Sequence, residues 1–323
     1  MSNSSQISRG YTIALISVAI LSTTAIFIRY LTQTYGLPAL ILACWREFFV
    51  FLTLLSILAL VRRSLLRVER KHLRYLVFYG LMLALFNSLW TLSVSLNGAA
   101  VSTVLVYCSA GFTALLGWWI LKERLDWGKL LAVALSLAGC VLVANALDPG
   151  AWRSNLVGII AGILSGLWYA IYTLMGRSAS QRGLNPWTTL LYTFGFATLF
   201  LLAFNLLSGG HIPGAATRPA DFLWLGKNWA GWGILILLAA GPTLTGYGLY
   251  NVSLTYLPSS VVNLVGTLEP VFTALIAYLL LGERLTGIQF LGGLLILGGV
   301  VFLRIYEGRL ARQEQTGLEP PPS

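Results

Sequence analysis

The stretch FTALIAYLLLGERL, residues 272–285, has a near copy, FTALLGWWILKERL, residues 112–125, at an offset of 160 positions. The match spreads outward from these words. Ser93, Val101, Phe112, Thr113, Ala114, Leu115, Leu121, Glu123, Arg124, Leu125, Gly139 and Val141 recur as Ser253, Val261, Phe272, Thr273, Ala274, Leu275, Leu281, Glu283, Arg284, Leu285, Gly299 and Val301. Each copy is a continuous apolar run stopped by Glu-Arg-Leu, so the charged pair is expected to cap a helix at a membrane surface.

The rest of the chain is written in the same idiom. Hydrophobic residues make up 57% and charged residues 10% of it, and its mean hydropathy is +0.79, a balance foreign to water-soluble domains. A bilayer core needs about 20 apolar residues per helix. Ten runs fit, near 11–30, 38–61, 73–96, 98–121, 127–146, 153–175, 186–208, 229–256, 258–281 and 285–306. They are continuously apolar rather than alternating, which selects helices over a barrel. The first run is too long for a signal-peptide core and is followed by no convincing cleavage site, so it is read as a retained helix.

The net charge of +10 could suggest nucleic acid, but the basic residues gather in alternate loops, as topology signals do. Fifteen of the 21 fall on one side: Arg9, Arg62, Arg63, Arg67, Arg70, Lys71, Arg74, Lys122, Arg124, Lys129, Arg177, Arg182, Arg304, Arg309 and Arg312. That side is expected to be cytoplasmic, together with both termini, in the inner or plasma membrane.

The repeat divides the chain into two halves of five helices, joined near 148–154. Five is odd, so the halves enter the membrane from opposite sides. The expected fold is therefore all-α and integral to the membrane, with ten transmembrane helices as two inverted repeats. A tail at 1–10 precedes the repeats at 11–147 and 153–306, and a disordered tail at 307–323 follows. Inverted repeats suit alternating access: exchanging the packings of the halves closes one side of a midplane cavity and opens the other.

The segments LPSSVVNLVGTLEPVFTALIAYLLLGERLTGIQFLGGLLILGGVVFL and GAAVSTVLVYCSAGFTALLGWWILKERLDWGKLLAVALSLAGCVLV resemble the paired EamA-type domains of the drug/metabolite transporter superfamily. The resemblance covers roughly residues 10–306 and implies export or exchange of small organic metabolites. One departure matters: where the second copy has Glu269-Pro270, the first has Ser109-Ala110.

Candidate site residues are polar or aromatic groups at mid-helix. Glu269 could carry a coupling proton or bind a substrate ammonium, or its carboxyl could simply be satisfied by groups freed at Pro270. Arg46 could take a substrate carboxylate, lock helices through backbone carbonyls, or snorkel. Its neighbour Glu47 points about 100° away round the helix, so the two are not expected to pair. Asn87 and Trp90, Tyr107, Trp168 and Tyr172, and Tyr247, Tyr250 and Asn251 would line a cavity suited to a flat or amphipathic solute such as an amino acid. Trp90 and Tyr250 are equivalent under the offset and should face a common cavity. Trp118, Trp119, Trp127, Trp152, Trp187 and Trp229 fit interfacial positions instead.

Gly158, Gly162 and Gly166 form a smooth stripe for close packing or, less readily, dimerisation, so a monomer is favoured. Gly241-Pro242 could loosen the eighth helix. The segment 209–228 is either a flap or an ordinary loop. Cys44, Cys108 and Cys140 have no metal or disulfide spacing, and His72 and His211 lie in loops, so no metal or cofactor is expected. No P-loop is present, which leaves proton antiport or facilitated diffusion. A lipid-modifying enzyme lacks the polar cluster it would need. A passive channel fits inverted repeats less well than a carrier.

Overall fold

The computed structural model describes residues 3–143, 147, 156–207, 209–212, 214–281 and 286–316, which contain no β-strand. The helices are α1 (Asn3–Leu21), α2 (Thr24–Thr34), α3 (Ala39–Val61), α4 (Arg70–Tyr107), α5 (Ser109–Leu121), α6 (Trp127–Val143) and α7 (Leu156–Gln181). After them come α8 (Pro186–Leu207), α9 (Trp229–Leu238), α10 (Leu244–Tyr256), α11 (Ser259–Gly266), α12 (Glu269–Leu281) and α13 (Gly287–Thr316). Six described segments are long and apolar enough to cross a membrane: Gln6–Thr32, Ala39–Val61, Arg70–Ser93, Leu156–Gln181, Pro186–Leu207 and Trp229–Tyr256. Leu105–Leu121, Trp127–Leu142 and Gly287–Leu303 are shorter apolar helices. The chain is a multi-pass all-α membrane protein. Its polarity is distributed accordingly, with Ser17, Thr113, Thr173 and Thr193 fully buried while Leu60, Phe78, Trp119 and Phe290 face outward.

Several expected helices are broken or fused. The first run is interrupted at Ser22–Thr23, where the hydroxyls donate to the Ala19 and Ile20 carbonyls at 2.7 Å each. Hydroxyls bonded back onto their own helix bend it. The Ser22 carbonyl is then free to accept from Thr273 at 3.3 Å. The third and fourth runs are not separate at 97, because α4 continues to Tyr107. Gly98 alone costs a helix only about 1 kcal/mol, and Ala99-Ala100 restore propensity. The chain turns instead at Cys108.

In the second half, Leu257 is extended ahead of Pro258, α11 starts afresh at Ser259, and a further turn at Thr267–Leu268 separates it from α12. Proline disfavours helix in the residue before it and is tolerated at a helix start. The loosened ladder expected at Gly241-Pro242 is a π-turn over Ala239–Thr243, with Pro242 inside it.

Packing runs largely between the halves: α1 on α10, α4 on α7, α3 on α8, α6 on α13 and α5 on α11. Between α6 and α13, close approach depends on glycine at two points. A Cβ at Gly139 would come within 2.6 Å of the Gly292 carbonyl oxygen, and one at Gly299 within 3.0 Å of the Ala132 carbonyl. Gly162 and Gly166 on α7 lie against Leu105 and Val106 of α4, so that stripe packs inside the bundle. Trp118, Trp119, Trp127 and Trp229 are exposed, as interfacial residues would be, whereas Trp187 is partly buried against Gly248. Trp152 lies outside the described residues.

One expectation about the C-terminal end is corrected, and the alternatives left open for 209–228 are narrowed. α13 runs to Thr316, ten residues into the stretch expected to be disordered. The described residues of 209–228 are held in place: the Leu40 amide donates to the Gly214 carbonyl at 3.0 Å, Trp45 Nε1 to the Phe222 carbonyl at 2.8 Å, and Trp224 Nε1 to the Tyr35 carbonyl at 3.1 Å. Ala216 and Leu225 complete an apolar cluster with Leu31, Leu37, Ile41 and Leu42. The segment thus clamps the ends of α2 and α3. The quoted Gly-Glu-Arg-Leu at 282–285 and the join at 148–154 lie outside the described residues.

Candidate substrate site and gate

Three polar groups are assembled inside the bundle. The first joins α3 to α4. Arg46 Nη2 donates to Glu47 Oε1 at 2.9 Å and to Asn87 Oδ1 at 2.8 Å, while Asn87 Nδ2 donates to Glu47 Oε1 at 2.8 Å. Arg46 is 4% exposed, Glu47 0% and Asn87 2%. Adjacent helical residues thus do pair here, contrary to the expectation from their 100° separation: both side chains are long enough to swing toward Asn87. Arg46 Nε and Glu47 Oε2 stay buried without a hydrogen bond. Removing one partner of such a buried pair costs about 3–5 kcal/mol, because the other charge is left uncompensated. A small cleft above the triad is lined by Ile28, Ala39, Leu42, Ala43, Arg46, Asn87, Trp90 and Thr91.

The second group is a lattice of tyrosines and amides between α4, α7 and α10. Tyr79 donates to Asn251 Oδ1 at 3.1 Å, and Asn251 Nδ2 donates to the Tyr172 hydroxyl at 3.2 Å and to the Tyr247 carbonyl at 2.9 Å. The Tyr79 and Tyr172 rings lie 4.8 Å apart. Tyr169 stacks parallel to Tyr172 at 6.3 Å. The Tyr250 hydroxyl shares a hydrogen bond with Thr173 at 2.7 Å, Asn263 Nδ2 reaches Thr173 at 3.4 Å, and Ser109 donates to Asn263 Oδ1 at 3.1 Å.

The third group lies where the two broken helices meet. Tyr107, last in α4, is in hydrogen-bond reach of Glu269, first in α12. Glu269 is partly exposed. The Tyr247 ring packs edge-on against Tyr172 at 6.1 Å and Phe194 at 5.4 Å.

Of the expected site residues, Arg46, Asn87 and Trp90 therefore share the cleft, Tyr172, Tyr247 and Asn251 share the lattice, and Tyr107 joins Glu269. Trp168 packs, partly buried, against the core. Tyr250, the counterpart of Trp90, is 1% exposed and does not line the cleft. Sequence reasoning did not single out Tyr79, Tyr169, Thr173 or Asn263. It discounted Glu47.

It also misplaced the role of Glu123. This carboxylate does not cap its own helix. It accepts from the amide and hydroxyl of Ser259 at 2.8 and 2.7 Å and from those of Ser260 at 3.3 and 2.8 Å, capping α11 in the other half. An anion at a helix N-terminus is favoured both by the unpaired amides and by the helix dipole. Pro258-Ser259-Ser260 is a helix-start signal that could have pointed there. The same end of the bundle is tied by Arg177 Nη1 to the Leu254 carbonyl at 2.8 Å, by Arg9 over the Tyr256 ring at 5.6 Å, and by Thr188 to the Leu65 carbonyl at 2.8 Å. This is the end that carries most of the basic loop residues.

The sequence matches the model of the EamA-like transporter family over residues 8–145 and 156–305. The chain belongs to that family. It is 28% identical to an uncharacterized transporter of Archaeoglobus fulgidus over 286 residues, 88% of this chain and 93% of the relative. An uncharacterized inner membrane transporter of Salmonella typhimurium, YicL, is 27% identical over 77% of this chain and 78% of its own length. The threonine/homoserine exporter RhtA of Salmonella typhimurium is 26% identical over 73% of each chain. A solved crystal structure superposes with a TM-score of 0.72 at 17% identity, covering 94% of this chain and 99% of the other, so the fold is shared. As an EamA-like protein, this one is a membrane transporter.

Proposed function

We propose that this EamA-like protein is a secondary carrier that exports or exchanges a small organic metabolite by alternating access between two inverted five-helix halves. The observation that carries the reading is the pairing of Glu123 with Ser259 and Ser260, a contact between halves that shuts the basic end while the Arg46 cleft lies away from it. With the basic end in the cytoplasm, and both termini with it, this is a state closed to the inside.

Two features support the internal two-fold. Gly139 touches Gly292 and Gly299 touches Ala132, and the 160-residue offset exchanges these two contacts with one another. A two-fold axis generates such reciprocal contacts. The pairs α1 with α10 and α7 with α4 are exchanged in the same way.

Small amino acids are the first substrates to test, in view of the similarity to RhtA, and lipid is the only other partner the reading requires of a monomer. Glu269, partly exposed and in hydrogen-bond reach of Tyr107, is the candidate for proton coupling. Exchange of pooled labelled metabolites in proteoliposomes, with and without a pH gradient, tests this. Saturable counterflow is expected. Flux without saturation would indicate a channel, and product formation an enzyme. For orientation, Ser64→Cys should be protected from an impermeant thiol reagent in intact cells and Ala220→Cys should label. Reversed labelling would overturn the topology.

A further inference from the structure

At the basic end of the bundle several cations are taken up by the protein itself. Lys129 Nζ donates to the Arg124 carbonyl at 2.7 Å and Arg177 Nη1 to the Leu254 carbonyl at 2.8 Å, while Arg182 lies over the Tyr75 ring at 4.5 Å. The corner between α3 and α4 is different. Residues 62–74 carry Arg62, Arg63, Arg67, Arg70, Lys71 and Arg74 against a single acid, Glu69, which is paired with Lys71. Arg62, Arg67, Arg70 and Arg74 are all exposed, and among the described residues their side chains make no hydrogen bond or ion pair.

This corner is firmly built. A 3-10 turn spans Arg63–Leu66, and its Leu65 and Leu66 carbonyls accept from Thr188 and Tyr192 of α8 at 2.8 and 2.9 Å. Leu65, Leu66 and Val68 pack inward on the core, which leaves the arginines on the outer edge. Apolar side chains continue outward from the charged edge along both helices. On α4, Arg70, Arg74 and Phe78 follow at four-residue spacing on one exposed face, with Phe78 61% exposed. On α3, Leu60 and Val61 are exposed just before Arg62.

We infer that the α3–α4 corner is a binding site for an anionic phospholipid, with its phosphodiester met by Arg70 and Arg74 and its acyl chains lying along Phe78. Arg62 and Arg67 add to the field. A diacyl phospholipid carries its charge directly above its chains, the same order in which α4 presents cations and then an aromatic ring. An acidic protein would meet the charges but would not reach Phe78 in the acyl layer. Arginine suits phosphate because its planar fork can donate two parallel bonds. The exposed guanidinium groups give up little on binding, and the tethered turn has little freedom left to lose. The inference goes beyond transport: the orientation proposed above assigns the site to the inner leaflet, and the contact itself does not depend on that orientation.

The test is thermal unfolding of the purified full chain in nonionic detergent, titrated with phosphatidylglycerol, with phosphatidylcholine of the same acyl chains, and with inorganic phosphate alone. Phosphatidylglycerol should raise the melting temperature well above the other two, since a ligand that binds the folded state stabilises it. Arg70→Gln with Arg74→Gln alters only exposed groups and should unfold near the wild-type temperature without lipid. Its half-saturating phosphatidylglycerol concentration should rise roughly twentyfold, because each basic residue beside an anionic surface contributes about fivefold. Lys122→Gln with Arg309→Gln removes two exposed cations from the same end and should leave that concentration nearly unchanged. Equal shifts with the two lipids, an equal loss in the Lys122 and Arg309 variant, or full stabilisation by phosphate alone would each overturn the inference. None of these outcomes bears on whether the protein transports a solute.

Discussion

Residues 98–125 and 258–285 hold equivalent places in the repeat, yet they enter the membrane differently. In the first, Gly98-Ala99-Ala100 lies inside the unbroken α4. In the second, Pro258 ends one helix and Ser259-Ser260 begin the next. The new N-terminus exposes amides, and these receive the Glu123 carboxylate of the first copy. One proline and two serines thus convert a structural repeat into a one-sided contact between the halves. The equivalent partners in the opposite sense, Glu283 and Ala99-Ala100, offer a carboxylate but no serine hydroxyls and no helix start. The lesson is that a duplicated scaffold becomes directional through a few positions at helix breaks. A second such position is Glu269, whose counterpart is Ser109.

The comparison can be broken most sharply at that second position. Glu269→Gln is expected to abolish pH-driven uphill transport while retaining exchange, because the amide resembles the neutral acid and releases no proton. Ser109→Ala should leave the pH dependence unchanged. Equal loss in both variants would remove the functional asymmetry.

Next in size is the closing contact. Glu123→Gln replaces a charged acceptor of four hydrogen bonds, each of the kind worth about 1.5–3 kcal/mol. Exchange should fall on the order of a hundredfold, equivalent to about 3 kcal/mol, and Glu283→Gln should do far less. Pro258→Ala should act in the same direction by about tenfold, since the helix could then continue as it does through Gly98 and bury the amides that Glu123 meets. Unchanged counterflow in Pro258→Ala would mean that the break, rather than the proline, is imposed by packing.

Smaller effects separate the aromatic pair. Trp90→Ala should weaken apparent substrate affinity roughly tenfold through lost stacking area. Tyr250→Phe removes one buried hydrogen bond to Thr173 and should lower stability by about 1 kcal/mol, with little change in affinity. Trp119→Ala, on the exposed face, should change neither. The smallest effect concerns the clamp on α2 and α3. The Thr217 hydroxyl and the Thr217 and Arg218 amides hold the Asp221 carboxyl below its usual range. Its contribution is therefore present above the ordinary carboxylate pKa and lost as pH falls through the depressed one. Protease protection of residues 209–228 should persist at neutral pH and weaken in strong acid. Asp221→Asn should weaken it at neutral pH and change it little in strong acid, where the wild-type carboxyl is already protonated.

The membrane class, the all-helical fold and the family were legible in the sequence because they rest on counts and periods. Long apolar runs, basic loops and a motif written twice need no knowledge of which helix touches which. That the helix could loosen at Gly241-Pro242, and that the Gly158, Gly162 and Gly166 stripe favours close packing, was legible for the same reason, since proline and glycine act on the backbone locally; the π-turn itself was not. What only the tertiary structure decided is pairing at a distance. Arg46 and Glu47 are held together by Asn87, forty-one positions from Arg46, and no rule for neighbours on one helix contains that third residue. Glu123 meets Ser259, 136 positions on, because the two halves pack against one another. The fusion of α4 through Gly98, against the break at Pro258, shows the same division. Local chemistry sets what a segment can do, while the partner brought alongside, and the cost of leaving a buried polar group without one, decides what it does.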